Sequence, residues 1–388
     1  MRESKVCGTP FKTLFLAVAI TLSTAAQALS HDVPAHLDPE LLTGWRTWLH
    51  LTIQWTHLVA FALWIGLTAE TLLLGIKPRL DHLLYGSWIL FLVFLATGTY
   101  NMEWSAGISE TPSLLLLPLL EKIPYGVTYS IALAVKLVLY VLIIFLTLLI
   151  TILHLQHHVD EARLRRIFLL FGSSLGIIMT LATAIVLFYH EIADIWPTRP
   201  HSMGGVMGLE GPLGQTVMGQ DVPPPNDFRL ILTRDAWIDI GLRWVHLLGF
   251  GLWLGGSAVA LAFGRISPKR FLLLSWIALT MQVLSGIASM DRWAPFYLPP
   301  YVWNLSNLSQ VRFGRSYTLF MAIKHVLVVA VISLMVFATI RYRRVSSTGE
   351  TDQFSLRPFV VLNLLLGLAI GYIVIIILLL HEGVDHAL

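Results

Sequence analysis

Residues 127–153 read VTYSIALAVKLVLYVLIIFLTLLITIL, and the one charged side chain in the run is Lys136. A helix needs about 20 apolar residues to cross the hydrocarbon core of a bilayer, and this run exceeds that length. Seven further apolar runs lie near 48–75, 83–102, 167–189, 238–263, 271–290, 316–340 and 358–380. Composition agrees: 56% of the 388 residues are apolar, 13% are charged and mean hydropathy is +0.73. Soluble domains carry about 25% charged residues. The 26 Lys+Arg nearly cancel the 23 Asp+Glu, which excludes a disordered or nucleic-acid-binding chain. The expected fold is an all-α integral membrane protein of eight transmembrane helices, with the lipid bilayer as its first partner.

The connections give an orientation. Lys77 and Arg79, then Arg163, Arg165 and Arg166, then Arg265, Lys269 and Arg270, then Arg341, Arg343, Arg344 and Arg357 fall in four short loops. The alternate, longer connections are poorer in basic residues: Lys122, then Arg199, Arg229 and Arg234, then Arg292, Arg312 and Arg315. The positive-inside rule makes the first set cytoplasmic and both mature termini periplasmic, as in a bacterial inner membrane.

The N-terminus reads as a secretory signal peptide spanning 1–28. Arg2, Lys5 and Lys12 precede an apolar stretch from Leu14 to Leu22, and small residues lead to Ala26-Gln27-Ala28. The alternative is an uncleaved first helix. Cys7, the one cysteine, falls inside the segment, so the mature chain would carry no disulfide, thiolate site, iron–sulfur cluster or c-type haem. Cleavage after Ala28 would expose Leu29-Ser30-His31, whose amine, amides and imidazole suit square-planar Cu(II) or Ni(II).

The chain repeats itself. Trp55-Thr56-His57-Leu58 and Leu63-Trp64-Ile65-Gly66 match Trp244-Val245-His246-Leu247 and Leu252-Trp253-Leu254-Gly255, an offset of 246 − 57 = 189. Gly98, Met102 and Glu103 match Gly286, Met290 and Asp291, while Tyr129 and Lys136 match Tyr317 and Lys324, all at 188. His190-Glu191 matches His381-Glu382 at 191. The reading is a first four-helix repeat over 29–190, a Gly/Pro/Met connector over 191–236 and a second repeat over 237–388. An even number of helices per repeat relates the copies by a pseudo-twofold along the membrane normal.

Measured from the basic flanks at about 1.5 Å per helical residue, these polar residues meet at one height. Lys77 to His57 is 77 − 57 = 20 residues, about 30 Å, and Arg265 to His246 is 265 − 246 = 19. Met102 and Met290 each stand 20 residues from His82 and Arg270, and His190 and His381 stand 24 from Arg166 and Arg357. Each half thus lifts a His, a Met-plus-acid, a Lys and a His-Glu to the outer third of the bilayer. Ionisable residues at such depth usually face a bundle interior or a water cavity. Blander roles exist for each: an interfacial histidine, a lysine snorkelling or paired with Glu103 or Asp291, a polar helix cap at the lip.

Two chemistries fit. His57, His246, His190 and His381 with Met102 and Met290 are ligands for copper. The alternative is b-type haem, with the histidines axial and Lys136 and Lys324 beside the propionates. An ammonium next to a bare cation is unfavourable, so the lysines lean toward an anionic group unless Glu103 or Asp291 neutralises them. A third class is a non-catalytic membrane subunit whose polar cluster only packs. Secondary positions are His154, His157 and His158, as a docking site or solvated helix end, and Met203, Met207 and Met218, as an outer copper collector. His50, with Asp239 as its counterpart, Glu70 and His325 carry no assigned role. No phosphate loop or H-E-x-x-H occurs, no serine stands at the strand-to-helix turn of a nucleophile elbow, and an enzymatic role is not expected.

The second half resembles the membrane domain of the copper-resistance protein D (CopD) family. The residues that carry the resemblance are Arg243-Trp244-Val245-His246-Leu247-Leu248, Leu252-Trp253-Leu254-Gly255-Gly256, Ser285-Gly286, Phe313-Gly314-Arg315, Leu319 to Lys324, Arg341 to Arg344 and Arg357-Pro358. The resemblance implies an inner-membrane protein of copper uptake or tolerance, with a periplasmic copper-binding partner and with His246 and His57 as ligands. The pattern of one His and one Lys in four helices is also similar to HemJ-type protoporphyrinogen oxidase and to the membrane domains of some urate oxidases. Those relatives imply haem or a redox reaction rather than ion passage; a periplasmic cytochrome is the alternative partner. The terminal His-Glu pairs and the long Met/Gly connector have no place in the CopD pattern.

Overall fold

The structure, a computed structural model, describes Leu42 and residues 44–105, 126–156, 159–195, 233–264, 266–293, 314–348 and 355–387. At 46, 102–105, 126, 190–195, 290–293, 314–315 and 381–387 it describes the backbone alone. The segment 1–28, the Leu29-Ser30-His31 terminus, His157, His158 and most of the connector 191–236, its methionines included, lie outside the described residues.

Among the described residues, eight helices are long and apolar enough to cross a membrane, and there is no strand. Helix α1 (Trp45–Ile65) continues through a π-helical turn, Gly66–Glu70, into the short helical stretch Thr71–Leu74. The others are α2 (Leu80–Ser105), α3 (Gly126–Leu155), α4 (Glu161–Ile195), α5 (Arg234–Phe263), α6 (Pro268–Trp293), α7 (Gly314–Ser347) and α8 (Arg357–Ala387). Each outruns its apolar run at one end or both. The basic residues expected in loops accordingly sit on helices: Arg163, Arg165 and Arg166 open α4, Lys269 and Arg270 open α6, and Arg341, Arg343 and Arg344 ride the last turns of α7. Apolar length marks where the bilayer ends. The backbone ladder continues beyond it wherever no glycine or proline stops it.

Both α1 and α5 are stopped by a glycine in the left-handed region, at equivalent positions: Gly75 (φ 69°) after the first and Gly264 (φ 65°) after the second. A residue with a Cβ is strained there, so glycine ends the helix and frees the chain to turn into the next span.

Helices α1 and α5 form the centre and pack directly on each other. Helix α2 flanks α1, α6 flanks α5, α4 packs against α5, and α8 packs against both α5 and α1. Helices α3 and α7 lie outermost, on α4 and α8. Their outer faces carry Val138, Val141 and Phe145 on α3 and Val326, Val329 and Phe337 on α7, all more than half exposed. Such surfaces are tolerable only against lipid or another apolar partner.

Small residues allow the central contact. Ala62 and Gly66 on α1 both meet Gly255 on α5, and Gly251, four residues before Gly255, receives the Ile65 side chain. That spacing puts both small residues on one face and lets two membrane helices approach backbone to backbone. Tryptophans then tie the outer helices in. The Trp55 indole N–H donates to the Leu368 carbonyl of α8 at 3.1 Å, and Trp244 donates to the Ile177 carbonyl of α4 at 3.3 Å and to Thr180 Oγ1 at 3.0 Å. Trp88 donates to Thr151 at 3.3 Å and Trp276 to Thr339 at 3.0 Å, bridging α2 to α3 and α6 to α7.

Candidate functional site

The two histidines of the Trp-x-His motifs are held in the same way. His57 on α1 turns toward α2, where its Nδ1 meets Thr97 Oγ1 at 2.8 Å. His246 on α5 turns toward α6, where its Nδ1 meets Ser285 Oγ at 3.0 Å. Each hydroxyl already donates its proton to its own helix, Thr97 to Val93 O at 2.6 Å and Ser285 to Met281 O at 2.5 Å. A hydroxyl has one proton to give, so toward the imidazole it accepts. The proton of each neutral ring therefore sits on Nδ1, and the lone pair sits on Nε2. The structure gives neither Nε2 a partner among the described residues.

Glycine makes room at each ring. A Cβ at Gly98 would lie 3.5 Å from His57 Cε1, and one at Gly286 would lie 3.3 Å from His246 Cε1. The ring edge therefore rests on a helix surface that has no side chain at that point. Around His57 the packing is aromatic, with Phe94 edge-on at 5.2 Å between ring centres. Around His246 the equivalent place is taken by Gln282, whose amide donates to the His246 carbonyl oxygen.

Lys136 on α3 stands within electrostatic range of His57, and Lys324 on α7 within range of His246. No described carboxylate pairs with either lysine. The expected partners, Glu103 and Asp291, have side chains outside the described residues, as do Met102, Met290, His190 and His381. Their backbones are helical: Met102 and Met290 follow Gly98 and Gly286 by four residues, one turn along the same face.

The described contacts thus bring His57 together with Lys136, and His246 with Lys324, in two separate places. They do not join His57 to His246, and no three His, Cys, Asp or Glu side chains cluster among the described residues. From His57 to Gly66, and from His246 to Gly255, is nine residues (66 − 57, 255 − 246), about 13 Å of helix. The two rings therefore stand at matched distances from the α1–α5 contact.

The secondary positions fall as follows. His50 is buried at 2% exposure, with Tyr100 of α2 beside it at 5.9 Å between ring centres. His154 Nε2 meets Asp81 Oδ1 at 2.6 Å, and Asp81 also takes Arg79 at 2.8 Å, so His154 links α3 to α2 at the basic-loop end. His325 turns its Nδ1 to the Met321 carbonyl of its own helix at 2.6 Å.

Sequence reading missed the role of the two hydroxyls, Ser285 having entered only as part of the family resemblance. Thr97 and Ser285 stand 285 − 97 = 188 residues apart, the same offset as the glycines beside them, and that coincidence was the available signal. Asn363 was missed as well. It takes the Trp253 indole N–H at 3.0 Å and donates to Ser257 at 2.8 Å, while the position equivalent to it in the first half is Gly172. Comparison with protein-family models, with curated proteins and with solved structures finds no match to this chain.

Proposed function

We propose that the chain is a multi-pass inner-membrane protein that handles copper, with one ligand position per half on Nε2 of His57 and His246. One observation carries this reading: both rings are fixed as the Nδ1–H tautomer by a hydroxyl whose own proton is spent, which leaves Nε2 as a free, oriented lone pair. Metal-binding imidazoles are oriented in this way by the hydrogen bond on their other nitrogen. A neutral imidazole serves copper in both oxidation states, and a thioether suits Cu(I). Met102 and Met290, one turn along the neighbouring helix, are the proposed soft ligands. His190 and His381 at the same end of α4 and α8 are the proposed lip. The copper ion is cargo, received from or delivered to a periplasmic copper-binding partner.

A second reading has its own support. Lys136 and Lys324 place a cation near each imidazole, which disfavours a bare metal ion and favours an anionic cofactor. In that reading His57 and His246 would hold b-type haem and the lysines its propionates, and the partner would be a cytochrome.

The deciding experiment is a visible spectrum of the purified protein, oxidised and then dithionite-reduced, with metal analysis of the same sample. Bound copper without a haem band, lost in the His57→Ala/His246→Ala double variant, is the expected result. A reduced b-type band that disappears in the double variant retires copper in favour of haem. Copper that survives the double variant overturns both sites.

A further inference from the structure

Glu70 closes the π-helical turn of α1 with 2% of its surface exposed, and the described structure gives its carboxyl neither a hydrogen bond nor an ion pair. It occurs in one half only, since the equivalent residue in α5 is Val259. The space it fills is made by a glycine: a Cβ at Gly256 would lie 3.1 Å from Glu70 Cδ and 3.2 Å from its Oε2. The turn itself is a widened helix. The Thr71 backbone N–H reaches the Gly66 carbonyl five residues back, and Thr71 Oγ1 donates to the same oxygen at 3.3 Å. Single π turns inside α-helices recur at functional sites, because they re-aim one side chain out of the regular stripe.

The elements around the turn offer hydroxyls and an amide at this level but no titratable group. No titratable side chain lies on α1 between His57 and Glu70, on α5 between His246 and Phe263, on α4 between Arg166 and Tyr189, or on α2 between Tyr85 and Tyr100. At the basic-loop end these elements carry Asp81, His82 and Tyr85 of α2 and Glu161, Arg163, Arg165 and Arg166 of α4, and their remaining titratable groups lie toward the opposite end. The nearest described cation along α1 is Arg270 of α6, whose Nη1 donates to the Leu74 carbonyl at 3.3 Å, one turn beyond Glu70. A carboxylate without partners in a membrane interior is strongly disfavoured, and a neutral carboxylic acid is not.

We propose that Glu70 is an intramembrane proton-binding site, neutral where α1 and α5 are packed and exchanging its proton toward the basic-loop end, where α1 stops at Gly75. The proposal is independent of what the histidines bind. It gives the chain a proton-accepting group buried beside its central helix contact, which ionises only when that contact admits water.

The test is infrared spectroscopy of the full chain in lipid vesicles, in H2O and in D2O, for wild type and Glu70→Gln. The expected result is the C=O stretch of a neutral carboxyl at neutral pH, shifted down in D2O and absent in Glu70→Gln. A wild-type minus variant difference showing ionised carboxylate bands instead overturns the proposal, as does a neutral band that never shifts in D2O. Should Glu70→Gln not fold, Glu70→Asp must move the band. Dicyclohexylcarbodiimide, which adds to neutral membrane-buried carboxyls, must also modify Glu70 of the wild type on peptide mapping, and less so as pH is raised. An unmodified Glu70 at every pH overturns the proposal.

Discussion

Gly66 of α1 and Gly255 of α5 hold equivalent places in the two halves, 255 − 66 = 189 residues apart, and they touch each other. A Cβ on Gly66 would lie 2.3 Å from the Gly255 carbonyl oxygen, and a Cβ on Gly255 would lie 2.1 Å from the Ala62 carbonyl oxygen. Equivalent residues meet only where the axis relating two copies passes, so this contact marks the seam between the halves. Trp55 and Trp244 then reach across it in reciprocal fashion, one to α8 and the other to α4.

Because the atoms that a methyl group would meet at the seam are backbone, no rotamer change relieves the clash. Gly66→Ala and Gly255→Ala are each expected to destabilise the fold by about 1–3 kcal/mol, the usual cost of overpacking. Gly241→Ala, on the same helix as Gly255 but with nothing within 4 Å of its added Cβ, is the matched control. It should be neutral or slightly stabilising, since alanine is the better helix former. Thermal unfolding midpoints in one detergent compare all three; a Gly255→Ala midpoint equal to that of Gly241→Ala would refute the close approach.

The hydroxyls behind the histidines should matter for binding rather than for folding. Thr97→Val and Ser285→Ala remove the acceptor on Nδ1 and free the ring to turn or change tautomer. Loss of such an orienting partner typically costs 10–100-fold in metal affinity. Cu(I) affinity, measured by competition with a chromophoric chelator, should fall in that range for each variant and recover in Thr97→Ser. Acidification has a predictable sign too. A proton on Nε2 occupies the lone pair the metal needs, so affinity should fall as pH is lowered. Unchanged affinity in both hydroxyl variants would remove the structural basis for the ligand assignment.

Legibility in the sequence tracked how local each feature is. Eight spans were readable because apolar length is a property of contiguous residues. The helix ends were not, because the stretch carrying Arg341, Arg343 and Arg344 is polar enough to look like a loop yet contains no breaker, and α7 continues to Ser347. His57 and His246 stood out as ionisable residues in apolar runs. Thr97 and Ser285 did not, since a hydroxyl inside a membrane helix usually satisfies itself on the preceding turn, and its partner lies some forty residues away in sequence. The seam had a signature in Ala62/Gly66 and Gly251/Gly255. It reads as helix contact only once both pairs are aligned on the same repeat.

The halves also differ where they could have matched. The Trp253 indole is held by Asn363, which in turn is held to Ser257. In the first half Gly172 replaces the asparagine, and the buried Trp64 indole nitrogen has no partner among the described residues. Asn363→Leu should leave the Trp253 donor unsatisfied in a buried place, at a cost of about 1–3 kcal/mol. Trp253→Phe and Trp64→Phe should then separate, the first orphaning Asn363 and the second breaking no hydrogen bond. Unfolding midpoints of Trp253→Phe, Asn363→Leu and their double variant form the cycle. A double variant as destabilised as the two singles added together would deny that the pair interacts.

The lysines offer the sharpest discrimination between the two ligand chemistries. Lys136 and Lys324 lie within electrostatic range of the imidazoles, on the two outermost helices, with no described carboxylate to neutralise them. If the ligand is a bare copper ion, each ammonium opposes it. Lys136→Gln and Lys324→Gln should then tighten copper binding, and the gain should shrink as salt is raised to the extent that the site is open to water. If the ligand is an anionic cofactor, the same substitutions remove its counter-charge and it should be retained less well through purification. The two readings predict opposite signs for one pair of variants. Copper-to-protein and haem-to-protein ratios on matched preparations therefore separate them. A lysine whose substitution neither strengthens copper binding nor weakens haem retention is bound up with Glu103 or Asp291 instead, and the corresponding Glu103→Gln or Asp291→Asn variant should then restore the effect of its charge.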